Sequence, residues 1–256
     1  MSDLYTYPNL TALMIFHHEW NAIEVCLKSF KKFYPDGQII LARDTLIPFL
    51  PPELKYLDPE LLDQNDAMNK IAELSFDSRP YQDLSISERL EAVSKQVSRV
   101  KEAALKSQNE HVLFLEYDAL VRGKVKVFDG IDLETLSVNL YPANLVKQIE
   151  IISERKMNFF GWGFVVGVAS KVSLLNAANW FENNLEVMKN LIELFPDLIV
   201  LDFLMPILVH LSGGNVADNQ LTSECSRDRF WRWRKTPLLH QYRGSKVSQR
   251  YHRKFM

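Results

Sequence analysis

The sequence predicts an α/β fold with a mostly parallel sheet flanked by helices, and three short apolar runs carry that prediction. Residues 10–17 and 38–42 read as buried strands separated by a helical pattern, and residues 111–115 read as a third. Between the first two, Ile23, Cys26, Leu27, Phe30 and Phe33 recur at helical spacing, and Pro35-Asp36-Gly37 makes the turn out. Strand, helix and strand within about 35 residues form a βαβ unit, which lays two parallel strands side by side. Residues 48–80 read as loop with short helical pieces. A long amphipathic helix follows, with Ile86, Leu90, Val93, Val97, Val100 and Ala104 on one face, ending near Asn109 before the third strand.

Composition agrees with a globular domain. The chain has 256 residues, 47% hydrophobic and 24% charged, which excludes collagen-like, low-complexity and disordered classes. The longest apolar stretches, 157–170 and 203–217, are too short to cross a bilayer and contain glycine or proline. The first nine residues have no basic start and include Asp3, unlike a signal peptide. Two cysteines, Cys26 and Cys225, make neither a disulfide framework nor a metal motif, so the expectation is a soluble cytoplasmic protein.

The net charge of −2 conceals an asymmetry. Ten of the 30 Lys/Arg but one of the 32 Asp/Glu fall within 227–256, giving that segment +9 and the rest −11. The expected organisation is one domain over 1–226 with a basic segment, 227–256, folding back on it. A basic segment on an acidic body calls for an anionic partner: phosphate, lipid or nucleic acid.

Open parallel sheets bind ligands at the carboxyl ends of their strands. The three predicted strands end in His17-His18-Glu19, in Arg43-Asp44 and in Glu116-Tyr117-Asp118. If the third strand continues, Glu116 and Asp118 point the same way, because side chains alternate along a strand. Two converging carboxylates repel unless a cation lies between them, and hard oxygen donors suit Mg²⁺ or Mn²⁺ bridging to a diphosphate. A solvated loop after a strand is the competing reading.

Phe114-Leu115-Glu116-Tyr117-Asp118 resembles the D-x-D region of nucleotide-sugar glycosyltransferases of the GT-A fold, in an E-x-D form. Ile15-Phe16-His17-His18-Glu19, Cys26-Leu27-Lys28-Ser29-Phe30 and Ile39-Ile40-Leu41-Ala42-Arg43-Asp44 resemble the opening strand, helix and strand of the large inverting group. The family usually has Pro or Tyr-Asn where this chain has His17-His18. Asn158-Phe159-Phe160-Gly161-Trp162-Gly163 resembles its acceptor-site segment, and Leu201-Asp202-Phe203-Leu204 its E-D-x-x-L helix, with Leu201 replacing the first acid. Leu239-His240-Gln241-Tyr242-Arg243-Gly244-Ser245-Lys246 resembles the C-terminal segment that supplies a metal-binding His and a basic group for pyrophosphate.

The resemblance implies a GT-A-like fold and a metal-dependent transferase. Such an enzyme moves a sugar from a UDP- or GDP-sugar to a hydroxyl of a glycan or other acceptor, with inversion, in glycan or polysaccharide synthesis. It implies that Glu116, Asp118 and His240 hold Mn²⁺ or Mg²⁺. His17, Asp44, Glu116, Asp118 and Lys246 would bind the nucleotide sugar, with Arg99 a further candidate on the long helix. It places the acceptor at Gly161, Trp162 and Gly163, and the general base at Asp202. An Asp opening a helix is also a good N-cap, Trp162 also reads as core, and Arg99 and Lys95 also read as the solvated face of a helix.

Three other functions were weighed against this one. A nucleotidyltransferase also uses strand-end carboxylates, but lacks here the Gly-rich or basic loop expected after the first strand. Single-stranded nucleic acid would suit Phe230, Trp231 and Trp233 interleaved with arginines, yet the acidic body repels a polyanion, so no nucleic acid is expected. Peripheral membrane contact through the same segment is compatible with glycosyl transfer.

Overall fold

The computed structural model describes residues 4–6, 9–16, 20–43, 52–55, 57–62, 84–116, 119–135, 139–159, 161–162, 167–218, 222–224 and 238–240. In chain order these form β1 (Leu4–Thr6), β2 (Thr11–Phe16), α1 (Trp20–Phe33), β3 (Gln38–Arg43), α2 (Pro52–Lys55), β4 (Glu60–Leu61), α3 (Ile86–Lys106) and β5 (His111–Leu115). The order continues with β6 (Ala119–Val121), β7 (Lys126–Phe128), β8 (Leu133–Thr135), β9 (Asn139–Leu140), α4 (Ala143–Ser153), β10 (Gly161–Trp162) and β11 (Gly167–Ser170). It closes with α5 (Lys171–Asn183), α6 (Leu185–Leu194), a 3₁₀ turn (Pro196–Ile199), α7 (Leu201–Leu211), β12 (Val216–Asp218), β13 (Thr222–Glu224) and β14 (Leu238–His240).

Among the described residues the main sheet has seven strands in the order β12-β8-β11-β5-β2-β3-β4. Every neighbouring pair is parallel except those of β11, which runs against both β5 and β8. The sheet is therefore mostly parallel, as expected. Its reversed strand enters from the carboxyl edge, where Gly167 stands opposite Phe114 near the end of β5.

Two-residue alternation splits the core. Ala12, Met14, Ile39, Leu41, Leu113, Leu115 and Val168 share one apolar cluster with Ile23, Cys26, Leu27 and Phe30 of α1. Leu13, Ile40, Ala42, Val112, Phe114 and Ala169 belong to a second cluster with α3, α5 and α7. Strands buried on both faces read as continuous apolar runs, which is why they were visible in the sequence.

α3 starts with a capping box: Ser85 Oγ accepts the Glu88 N–H at 3.3 Å, and the Glu88 carboxylate accepts the Ser85 N–H at 2.9 Å. The helix stops at Lys106, short of Asn109, because Ser107 turns away to donate its hydroxyl to Thr11 Oγ1 (2.8 Å) and to the Asn109 carbonyl (2.8 Å). Those bonds tie the amino ends of β2 and β5 together. No helix among the described residues is long and apolar enough to cross a membrane.

The turn between α1 and β3 is tight. A Cβ on Gly37 would lie 2.6 Å from Phe30 Cζ and 2.9 Å from the Leu10 carbonyl oxygen, and Phe30 is already stacked on Tyr34 at 5.3 Å. Gly37→Ala is expected to lower stability by about 1–3 kcal/mol through overpacking. The check is a urea midpoint that falls at unchanged m-value.

Candidate active site at the carboxyl edge

β3, β2 and β5 lie side by side and parallel, with Phe16 opposite Arg43 and Met14 opposite Leu115. The chain therefore leaves all three strands at one edge, at residues 17, 44 and 116. α1 crosses from β2 to β3 over one face, while α3 covers the other and leads to β5 on the opposite side of β2. Such a reversal of strand order opens a crevice at the carboxyl ends, where ligands bind in open α/β sheets. His17 and Asp44, the candidate nucleoside contacts next to those strand ends in sequence, lie outside the described residues, as do Asp118, Gly163 and Lys246.

The expected extension of the third strand through Asp118 does not occur. β5 ends at Leu115, and the chain turns so that the partly buried Glu116 accepts the Ala119 N–H on its carbonyl at 3.0 Å. The same carbonyl receives the Cys26 thiol at 3.5 Å. The reason is α1. Ser29 Oγ accepts the Val121 N–H at 2.9 Å and donates to the Cys26 carbonyl at 2.6 Å, drawing β6 off the main sheet onto the helix. Glu116 and Asp118 thus bound a turn rather than sharing one face of a strand.

That turn receives the C-terminal part of the chain. β14 pairs antiparallel with β6, placing Leu238 opposite Val121, Leu239 opposite Leu120 and His240 opposite Ala119. β13 lies parallel to β14, with Glu224 opposite His240. The backbone of His240 thus stands beside the residue that follows Asp118. Leu238, fully buried in the α1-side core, anchors this strand.

Asp202 is partly buried in the first turn of α7, which packs against β10, the strand formed by the backbone of Gly161 and Trp162. The N-cap role anticipated for Asp202 is not observed. Val200 is the N-cap, and its carbonyl takes the N–H groups of Phe203 (3.1 Å) and Leu204 (3.0 Å). The preceding 3₁₀ turn delivers the chain already curled, so the helix begins before Asp202. A carboxylate in a first turn still gains from the helix dipole.

Arg99 and Lys95 separate clearly. Lys95 sits on the outer face of α3 in an i,i+4 ion pair with Glu91 at 2.8 Å. Arg99 is only 1% exposed, on the stripe that faces the core, so the reading of both as solvated charges fails for Arg99. Three residues nearer the carboxyl edge, Gln96 donates its amide to the Ile199 carbonyl at 2.9 Å and so links α3 to the approach of α7. Tyr141, ahead of α4, likewise donates its hydroxyl to the Phe203 carbonyl at 2.9 Å. Neither residue stood out in the sequence, because each acts on a backbone carbonyl far along the chain. Among the described residues no group of three or more His, Cys, Asp or Glu side chains is arranged to hold a metal.

A second polar cluster lies around His210 of α7, 3% exposed, whose Nε2 is 3.1 Å from Ser153 Oγ. Burial lowers its pKa first, and the adjacent Arg155 guanidinium, which donates to the His210 carbonyl at 3.2 Å, lowers it further. The unfolded chain then binds a proton near pH 6.5 that the native state binds only at lower pH. The contribution is intact above about pH 6.5 and is lost as pH falls through the lower native value. Tm should therefore drop from about pH 7.5 to 5.5, and less steeply in His210→Gln; half-buried His111, shifted the same way by burial, leaves a residual slope.

No family model matches this sequence, and no curated protein matches it. Its fold is nevertheless a familiar one: an α/β, GT-A-like sheet flanked by helices. Among solved structures it is similar to an active-site mutant of LgtC, a retaining glycosyltransferase of the GT-A type. The TM-score is 0.53 at 13% identity, over 95% of this chain and 94% of the other.

Proposed function

We propose that this chain is a metal-dependent glycosyltransferase that moves a sugar from a nucleoside-diphosphate sugar to a hydroxyl of a glycan or other acceptor. The observation that carries this reading is the strand register. On a GT-A-like sheet, the Glu116–Ala119 turn leaves the carboxyl edge at the crevice, and β14 brings His240 alongside it. Two carboxylates and an imidazole on one turn and its paired strand form an oxygen- and nitrogen-donor set suited to Mn²⁺ or Mg²⁺. A divalent cation held by Asp118, Glu116 and His240 supplies Lewis-acid and electrostatic stabilisation of a departing diphosphate.

The remaining roles fall to this chain's own side chains. His17 and Asp44 bind the nucleoside, while Lys246 and Arg99 balance diphosphate charge. Gly161, Trp162 and Gly163 seat the acceptor beside α7. Asp202 accepts the proton of the acceptor hydroxyl as that oxygen attacks the anomeric carbon from the face opposite the diphosphate. The bond to the diphosphate breaks as the new one forms, so configuration inverts. The surplus of cations in 227–256 also suits peripheral contact with an anionic membrane surface, in a cytoplasmic setting.

The test is a thermal-shift panel of UDP, GDP, CDP and dTDP, each with and without Mn²⁺. A ligand that binds only the native state raises stability by RT ln(1 + [L]/Kd). A shift with one nucleotide that requires Mn²⁺ and is lost in His240→Ala supports the reading. No Mn²⁺-dependent shift with any of the four overturns it. Anomeric NMR of the product then reads stereochemistry, and a retained configuration removes Asp202 as base.

A further inference from the structure

Pro206 lies inside α7, where an ordinary residue would donate its N–H to the Asp202 carbonyl four positions back. Proline has no N–H to give, and its ring crowds that same carbonyl. The helical ladder is thus interrupted at Asp202. Buried contacts from outside the helix act on either side of it. Gln96, 4% exposed, donates to the Ile199 carbonyl at 2.9 Å, just ahead of the helix. Tyr141, 6% exposed, donates its hydroxyl to the Phe203 carbonyl at 2.9 Å. A carbonyl has two lone pairs, so the Tyr141 bond adds to helical bonding rather than replacing it. Its ring meets Phe203 edge-on at 5.0 Å and 82°, and Phe159 at 5.9 Å and 79°.

We propose that Pro206 divides α7 into a first turn that carries Asp202 and a distal segment, and that Tyr141 is the positioning residue that sets the first turn against β10. The inference rests on the reading of Asp202 as general base. An interrupted ladder lets the first turn take its orientation from Tyr141 and Gln96 instead of from the distal helix, whose own place is set by core packing. The hydroxyl bonds the residue next to Asp202, so its removal moves the carboxylate without touching substrate.

Tyr141→Phe removes the hydroxyl and keeps the rings packed. Amide hydrogen exchange on the intact chain should then quicken about three- to tenfold at Phe203, Leu204 and Met205 and stay at the parent rate over 207–211. Equal quickening over 203–211 would show that α7 opens as one unit and would overturn the division. No quickening at 203–205 would overturn the role of Tyr141.

Turnover decides whether the positioning serves Asp202. The probe is nucleoside diphosphate release from UDP-glucose, UDP-galactose, UDP-N-acetylglucosamine and GDP-mannose with Mn²⁺. Tyr141→Phe should lower kcat about tenfold at unchanged donor KM, and should add nothing in an Asp202→Asn background. An additive effect there, or parental kcat in Tyr141→Phe while Asp202→Asn is impaired, overturns the inference. Parental kcat in Asp202→Asn overturns the assignment of the base instead, and the exchange result stands apart from it.

Discussion

Asp118→Ala is expected to abolish Mn²⁺-dependent nucleotide binding while the protein stays folded. Asp118 falls within the turn closed by the Ala119 N–H and Glu116 carbonyl, outside both apolar clusters, so its loss opens no cavity. The effect on binding is large because a carboxylate contributes a full charge to a divalent cation. At a hundredfold excess of ligand over Kd, native-state binding contributes about 2.7 kcal/mol. For a chain of this size that is roughly 5–10 °C in Tm, and the variant should lose it. Its ligand-free Tm should stay within about 2 °C of the parent, as expected for a substitution away from the core. Glu116→Ala should be milder, because the backbone of Glu116, not its side chain, makes the bonds that close the turn. A variant at position 118 that still binds nucleotide in a Mn²⁺-dependent way would remove Asp118 from the metal site.

Asp202→Asn is expected to lower kcat at least about 10²-fold with little change in donor affinity, because a general base acts in the transition state. The structure sharpens this test. Val200 rather than Asp202 caps α7, so the amide replacement forfeits no side-chain cap. What remains is the attraction between a carboxylate and a helix N-terminus, about 0.3–1 kcal/mol, too little to unfold a domain. Steady-state rates with donor titrations separate the two parameters. Near-parental turnover would move attention to Asp197 or Glu193, both exposed just upstream of α7, or to a retaining mechanism.

The parts of the fold that were legible in the sequence share one physical property: their signal is local. β2, β3 and β5 are buried on both faces, so each reads as an apolar run whatever its neighbours are. α1 and α3 each turn one apolar stripe inward, and 3.6-residue spacing exposes that in a single pass. The capping box at Ser85 and Glu88 was equally local and was available to a reader who looked for it. The carboxylates at 116 and 118 were visible because polar residues abruptly end an apolar run.

What sequence alone misplaced depended on contacts between distant segments. The strand was expected to continue past Leu115, but Ser29 of α1 captures the Val121 N–H and bends the chain after Glu116. Arg99 has the helical position of any polar residue, and only the packing of α3 on the sheet places it at 1% exposure. The reversed direction of β11 follows from the edge at which the chain arrives, which no periodicity records.

By itself the sequence determined the α/β class, the parallel core of strands, the two long helices before β5 and the chemistry of the residues at the strand ends. Those properties follow from hydrophobic spacing, turn residues and side-chain type, which neighbouring positions along the chain supply. Only the tertiary structure decided that β14 lies on β6, bringing His240 beside Ala119 across 121 residues of chain. Only it decided that Val200 caps α7 and that Tyr141 and Gln96 hold the backbone on either side of Asp202. These contacts join segments distant in sequence through backbone groups that every residue carries, so side-chain pattern leaves no trace of them until the chain has packed.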